Sequence, residues 1–489
     1  MIQPQPATRR QTRFMLRKRW IALILVGLIL TSTMIVHTQK EVPDGLSYES
    51  PVYRTDDVKF LYNLSYQQGD KRAFEDGIYK AWYGMIQGAE EYIVFDMFLL
   101  NSYYDKGQEY PELAGKLTDL ITEQKKKHPE LKVYFITDEV NTSYGSHKVP
   151  YLERLKESGA EVVITDMKPM RDSNPLYSGV WRAFFQWFGQ SGDGWMKNPQ
   201  GSNAPDVTLR SNLKLLNIKA NHRKVLMTEN GAMVMSANAH DASYYNGNIA
   251  FQFEGPIMKE VWSSEQAVVR MSGRKDALPA YPGEASAGRG EGNIALQWLT
   301  ESKIQKHVVQ AIKEAGEGDR VRIGMFFIED RSIVEPLLAA SKRGADIQIV
   351  LDVNENSFGH KKSGMPNRPI AAELLQRSDE RIQIKWYETE QEQYHTKLLL
   401  VEHPDRSVII GGSANYTRRT LDDLNLEANL KMEAPSESEL VKSVGAYFER
   451  IWNNKDGVYT VPYEKHNDEL PFFKQALYVV QKVFNFTTY

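Results

Sequence analysis

The sequence predicts an α/β protein: two similar α/β/α sandwich domains related by a pseudo-twofold internal duplication, preceded by one N-terminal transmembrane helix. Three observations carry this expectation. Strand and helix patterns recur in the same order in both halves of the 489 residues. A His-x-Lys pair followed by Ser-x-Asn occurs in each half. A basic N-terminal segment precedes an apolar run without Asp, Glu, Lys or Arg.

In chain order, residues 1–19 hold Arg9, Arg10, Arg13, Arg17, Lys18 and Arg19 and no acid. Residues 20–38 are apolar and of the length, about 18 residues or more, that crosses a bilayer core. No small-x-small cleavage site follows, and the run is long for a signal peptide, so an anchor is expected rather than a cleaved leader. The positive-inside rule puts the basic segment in the cytoplasm and the remaining chain outside the cell membrane. The net charge of −3 divides into +6 for residues 1–38 and −9 for the rest. That balance disfavours nucleic acid as a partner, because its binders present a basic surface. The chain has no cysteine, which excludes disulfides, thiolate metal sites and cysteine nucleophiles.

The first domain is expected over residues 56–276 and the second over 294–455, joined by a loop-like linker at 277–293. EYIVFDMFLL in the first half matches VRIGMFFIED in the second as a buried strand. Helical spacing of Leu113, Leu117 and Leu120 matches that of Val334, Leu337 and Leu338. LKVYFITD, ending in Asp138, then matches ADIQIVLD, ending in Asp352. A helix and a further strand follow in each half, YLERLKESG and EVVITD against AAELLQRSD and IQIKWY. Alternating strands and helices imply sheets covered by helices. Two segments lack a counterpart. One is the aromatic insertion 168–215, whose Trp181, Phe184, Phe185, Trp187 and Phe188 suit either core packing or a bilayer interface. The other is the tail 456–489, where Phe473, Leu477, Val480 and Phe484 fall on one helical face.

The chemistry lies in the repeated motif. The first copy holds His222, Lys224, Ser236 and Asn238, and the second holds His395, Lys397, Ser413 and Asn415. A single His-x-Lys pair is uninformative among ten histidines; two copies with the same Ser-x-Asn downstream are not. A pseudo-twofold pairing would bring His222 and His395 together over one phosphorus centre. One imidazole then attacks while the other protonates the leaving oxygen. Lysine charge and asparagine amides hold the phosphate oxygens, and the serines either do the same or buttress the imidazoles. No histidine–acid spacing calls for zinc or calcium, so neither a metal nor another cofactor is expected. His240, Asp241 and His403 are read as structural, with His403 exposed in the EHPDR turn.

With these residues in view, the chain resembles the phospholipase D superfamily from about Asp56 to Asn454, and bacterial cardiolipin synthases most, in NHRKVLM, FEGP and SANYTRRTLDDLNLEANL. The resemblance implies two α/β domains side by side and a two-step reaction through a phosphohistidine without metal. By analogy His222 is the nucleophile and His395 the acid/base, although the motif symmetry leaves the reverse open. In the element Asn425-Leu426-Glu427, the resemblance makes Glu427 the acid that orients a catalytic imidazole, expected to be His395; the first half has Asn248 there and no acid. Three features depart from the pattern: Glu229 and Glu402 stand where Asp is usual, Met235 replaces the glycine kept as Gly412, and one span is visible where two are common. The expected partners are a phospholipid substrate and the membrane. The expected activity is phospholipase D or cardiolipin synthase-type phosphatidyl transfer, with an extracytoplasmic nuclease as the alternative.

Overall fold

Strands that read as continuous apolar runs form the centre of two large sheets, because a strand buried on both faces has no polar side. The computed structural model describes residues 9–189, 193–217, 219–283, 288–357, 360–361 and 364–466. The apolar face expected at 473–484 lies outside the described residues.

The first sheet runs in the order 71–76, 58–68, 248–253, 231–235, 224–228, 92–97, 132–137, 161–164. The second runs 53–55, 294–300, 428–435, 406–412, 397–402, 320–325, 346–351, 382–387, 460–462. Leaving out the edge strands, the seven strands from 58–68 to 161–164 repeat the order of those from 294–300 to 382–387. In both, three parallel strands meet an antiparallel strand that begins with the motif lysine. Register repeats too: Lys224 lies opposite Met97, and Lys397 opposite Met325. The chain is an internal duplication.

Helices α1 (Arg9–Gln39), α2 (Gly77–Gln87), α3 (Leu113–Lys127), α4 (Pro150–Glu157) and α5 (Pro175–Val180) follow in the first half. Helices α2 to α4 cover the outer face of the first sheet through Trp82, Ile86, Leu117, Ile121 and Leu152. Helices at 302–314, 331–342 and 367–377 cover the second sheet in the same way. Between the sheets lies one continuous core, in which Ile249 and Phe251 of the first half pack with Leu398, Leu430 and Tyr447 of the second. Two short strands cross the expected domain limits: Tyr53–Thr55 pairs with the second sheet, and Thr460–Pro462 adds its far edge. Helix α1 packs against α5 near its C-terminal end, and its segment Arg17–Gln39 is long and apolar enough to cross a membrane.

The departures from the motif pattern have local causes. Gly412 faces Asn429 across the ladder, and a Cβ there would collide with the Ala428 carbonyl and the Asn429 side chain. In the first half the facing residue is Ala250. This leaves room for Met235, whose sulfur accepts the Trp82 indole N–H at 2.8 Å. Glu229 and Glu402 lie five residues past the lysines, about 17 Å along an extended strand. Glu229 accepts backbone N–H groups of Glu90 and Glu91, and Glu402 pairs with Arg322. Both acids serve strand ends remote from the motifs.

Candidate active site

The two motifs meet where the parallel strands end. Phe98 and Phe326 directly follow the strands ending at Met97 and Met325. Phe98 lies 4.9 Å from the His222 ring and carries the Lys224 ammonium over its face at 4.9 Å. Phe326 stands in the same relation to His395 and Lys397, again at 4.9 Å and 4.9 Å. Each lysine is anchored on the carbonyl of its own histidine, Lys224 at 2.8 Å and Lys397 at 2.6 Å. Sequence reasoning missed both phenylalanines, because the pairing of EYIVFDMFLL with VRIGMFFIED is two residues out of the structural register that sets Met97-Phe98 against Met325-Phe326.

The strand-end acids Asp138 and Asp352 fix the backbone before each histidine. Asp138 accepts the Asn221 N–H at 2.7 Å, and Asp352 accepts the Tyr394 N–H at 2.6 Å. Burial pushes both carboxyls up to about 7. The sequence revealed these residues as strand ends but gave no sign of this role.

The halves exchange partners. Asn221 forms a parallel bridge with Leu426, and Gly247 forms the equivalent bridge with Tyr394. Residues preceding one histidine are thereby paired with residues preceding the other half's acid or amide. Glu427 consequently reaches His222, with Nδ1 at 2.9 Å and 3.1 Å from its two oxygens. Asn248 reaches His395, with Oδ1 at 3.1 Å from Nδ1. This corrects the expectation that Glu427 serves His395. A sequence repeat does not reveal whether a motif element acts within its half or across to the other.

Ser413 donates to Glu427 and accepts the Ala428 N–H at 2.9 Å. Ser236 donates to Asn248 at 3.0 Å and accepts the Ile249 N–H at 3.0 Å. The serines thus brace the partners of the imidazoles. Asn238 and Asn415 are buried, and each has a side-chain oxygen with no hydrogen-bond partner. His240 is bonded to Ser243 and to the Tyr103 carbonyl, away from the motifs. Asp241 accepts the first N–H groups of α3. His403 is partly buried, with Nδ1 2.8 Å from Asp319, rather than exposed.

The His222 and His395 rings are 6.4 Å apart between centroids, at 76°. A nucleophile about 3–3.5 Å from phosphorus and an acid about 3 Å from the leaving oxygen fit that gap around one phosphorus atom. Burial, followed by the lysine charges, holds both imidazoles well below their ordinary range. Burial also brings Lys224 down to about 7 and, with the Lys224 charge adding to the effect, holds Lys397 well below its ordinary range. Burial raises the Glu427 carboxyl, against the pull of Lys224. Among the described residues, no group of three or more His, Asp or Glu side chains is placed to hold a metal ion.

Residues 308–452 match the family model described as cardiolipin synthase, PLD-like domain. No curated protein compared with the chain matches it. Among solved structures, phosphatidylserine synthase of Haemophilus influenzae Rd KW20 is similar over 93% of this chain and 96% of its own, at 10% identity and a TM-score of 0.54. A phospholipase D family member, Nuc from Salmonella typhimurium, matches 34% of this chain and 97% of its own at 19% identity and a TM-score of 0.26. Polyphosphate kinase from Porphyromonas gingivalis matches 88% and 53% at 12% identity and a TM-score of 0.43. The second half thus carries a stretch, residues 308–452, similar to the cardiolipin synthase, PLD-like domain, and the chain shares its fold along nearly its whole length with phosphatidylserine synthase.

Proposed function

We propose that this protein is a membrane-anchored enzyme that cleaves or transfers the phosphatidyl group of a phospholipid through a phosphohistidine. The observation that carries the reading is the unequal pairing of two facing imidazoles: Glu427 on His222, Asn248 on His395. A carboxylate on Nδ1 fixes the tautomer, increases the basicity of Nε2 and stabilises the positive charge that a phosphorylated ring acquires. His222 is therefore the nucleophile. His395, held by a neutral amide, takes and returns protons.

In the first step His222 Nε2 forms a bond to phosphorus. The bond from phosphorus to the alcohol oxygen breaks, and His395 protonates that oxygen. In the second step water or an incoming alcohol attacks phosphorus, His395 accepts its proton, and the phosphorus–nitrogen bond breaks. Lys224, Lys397, Asn238 and Asn415 hold the non-bridging oxygens, where fixed charge favours the transition state. The anionic substrate raises the pKa of both lysines and of His395, supplying the proton the first step requires. The N-terminal basic segment faces the cytoplasm, and the body lies on the opposite side of the membrane.

The test is product analysis on phosphatidylglycerol vesicles with excess EDTA, using wild type, His222→Ala and His395→Ala. The expected result is turnover by wild type alone, yielding cardiolipin and glycerol if the acceptor is a second lipid, or phosphatidic acid if it is water. Lipid turnover that survives both substitutions, or cleavage of single-stranded DNA with no lipid turnover, overturns the reading.

A further inference from the structure

We propose that residues 175–188 form a wedge that enters the lipid layer beside α1, on the face of the bilayer that carries the globular body. The inference rests on α1 crossing the membrane. What it adds is the contact between α1 and the aromatic insertion.

That contact sets a depth. Gly179 of α5 lies so close to α1 that a Cβ there would come within 2.6 Å of the Met34 side chain and 3.5 Å of the Leu30 carbonyl. Met34 and Leu30 precede the end of α1 at Gln39 by five and nine residues, about 8 and 13 Å at 1.5 Å per residue. The joint is fixed at the helix end as well: the His37 carbonyl accepts the Asp172 N–H at 3.0 Å, and the Lys40 carbonyl accepts Arg171 Nε at 3.0 Å. A span of about 20 residues matches a hydrocarbon core of about 30 Å. If α1 occupies that core, α5 lies within it too, near the outer third of the helix.

The segment has the surface this position demands. Leu176, Phe184, Trp187 and Phe188 are 53%, 46%, 75% and 64% exposed, an apolar patch without a protein partner among the described residues. The one charged residue from 175 to 188 is Arg182. It is buried and held by both oxygens of Asp172, at 2.9 Å and 2.8 Å. Backbone groups are largely satisfied locally, since α5 runs directly into a single wide turn at Trp181–Phe185, as lipid requires. Cations begin only at the base, where the Arg210 guanidinium lies over the Trp181 ring at 5.6 Å. Aromatic rings followed by basic groups is the order found at a membrane–water interface.

The wedge is also tied to the catalytic strand. The Asp172 carboxylate that holds Arg182 also holds Lys219 at 3.0 Å, three residues before His222. Insertion would therefore keep the cleft close to the lipid surface, with the phosphodiester reached at headgroup level.

The absence of cysteine allows a direct test. Single variants Phe188→Cys, Leu25→Cys and Lys126→Cys carry an environment-sensitive fluorophore in the full chain, reconstituted in phosphatidylglycerol–phosphatidylethanolamine vesicles. Lys126, exposed on α3, reports water, and Leu25 reports the bilayer core. The expected result is blue-shifted emission from position 188, quenched several-fold more by lipids spin-labelled on the upper acyl chain than by aqueous iodide. Emission and iodide quenching at 188 equal to those at 126, with Leu25 in lipid, overturn the wedge and leave the anchor standing. A water-like signal at Leu25 removes the anchor itself, and the wedge with it.

Discussion

His222 and His395 are the same side chain in two environments, and the difference between them is one charge. Replacing Glu427 with Gln keeps the shape and removes that charge. Turnover is expected to fall by about 10²-fold or more, within the range for loss of a tuned acid–base group, with KM nearly unchanged. Asn248→Ala is expected to lose less in the first step and to slow the second, so that an acid-labile phosphoenzyme accumulates. Trapping phosphoenzyme in both variants and locating the phosphate distinguishes the roles; phosphate on His395 reverses the assignment. The buried lysines give a pH signature. Burial lowers Lys224 to about 7, and a bound oxyanion raises it again. Below about 7 Lys224 is protonated both free and bound, and binding takes up little. Above 7 binding draws a proton, so affinity falls as pH rises. Tungstate keeps constant charge over this range. Its dissociation constant should increase between pH 7 and 9, with proton uptake seen by calorimetry in buffers of different ionisation enthalpy, and a flat profile would contradict this.

At the scale of single elements, the paired strands explain why the repeat is imperfect. Gly412 opposite Asn429 and Met235 opposite Ala250 are two solutions to one packing constraint: a small residue must stand on one side of the pair. Gly412→Met is expected to destabilise the protein by about 2–3 kcal/mol through overpacking. Asn429→Ala in the same chain should recover the part of that loss due to the Asn429 side chain, the contact with the Ala428 carbonyl remaining. A double-mutant cycle on thermal unfolding measures the coupling, and strict additivity would refute the explanation. The strand ends are equally specific. Asp138 and Asp352 each hold one backbone N–H at the residue before a motif histidine, so a change there displaces the imidazole.

For the molecule as a whole, the halves are bound through the same residues that build the site. Arg223, between His222 and Lys224, is fully buried and pairs with Glu265 of its own half at 3.2 Å and with Glu301 of the other at 2.8 Å. Glu301 in turn accepts the Glu427 N–H at 3.1 Å. Removing the cation leaves two buried carboxylates without it, and Arg223→Ala is expected to cost about 3–5 kcal/mol, measured by denaturant unfolding. The Tyr387 hydroxyl donates to the Ser65 carbonyl at 2.6 Å, another tie across the central core. Since Glu427 and Asn248 each serve the opposite histidine, neither half expressed alone should turn over lipid.

Much was legible in advance because local pattern carries it. Alternating strand and helix signals gave the α/β class, and the duplicated motifs singled out His222 and His395, whose rings lie 6.4 Å apart. The apolar run ending near His37 gave the helix that, among the described residues, is long and apolar enough to cross a membrane. Tertiary structure decided what sequence order cannot encode: which half's carboxylate faces which imidazole, that Phe98 and Phe326 complete the site, and that the aromatic insertion rests on α1. These are contacts between segments hundreds of residues apart, as with Glu427 and His222, or about 145 apart, as with Gly179 and Met34. Periodicity and spacing describe only near neighbours, whereas the packing of two sheets about a shared core determines which distant groups come within hydrogen-bond reach.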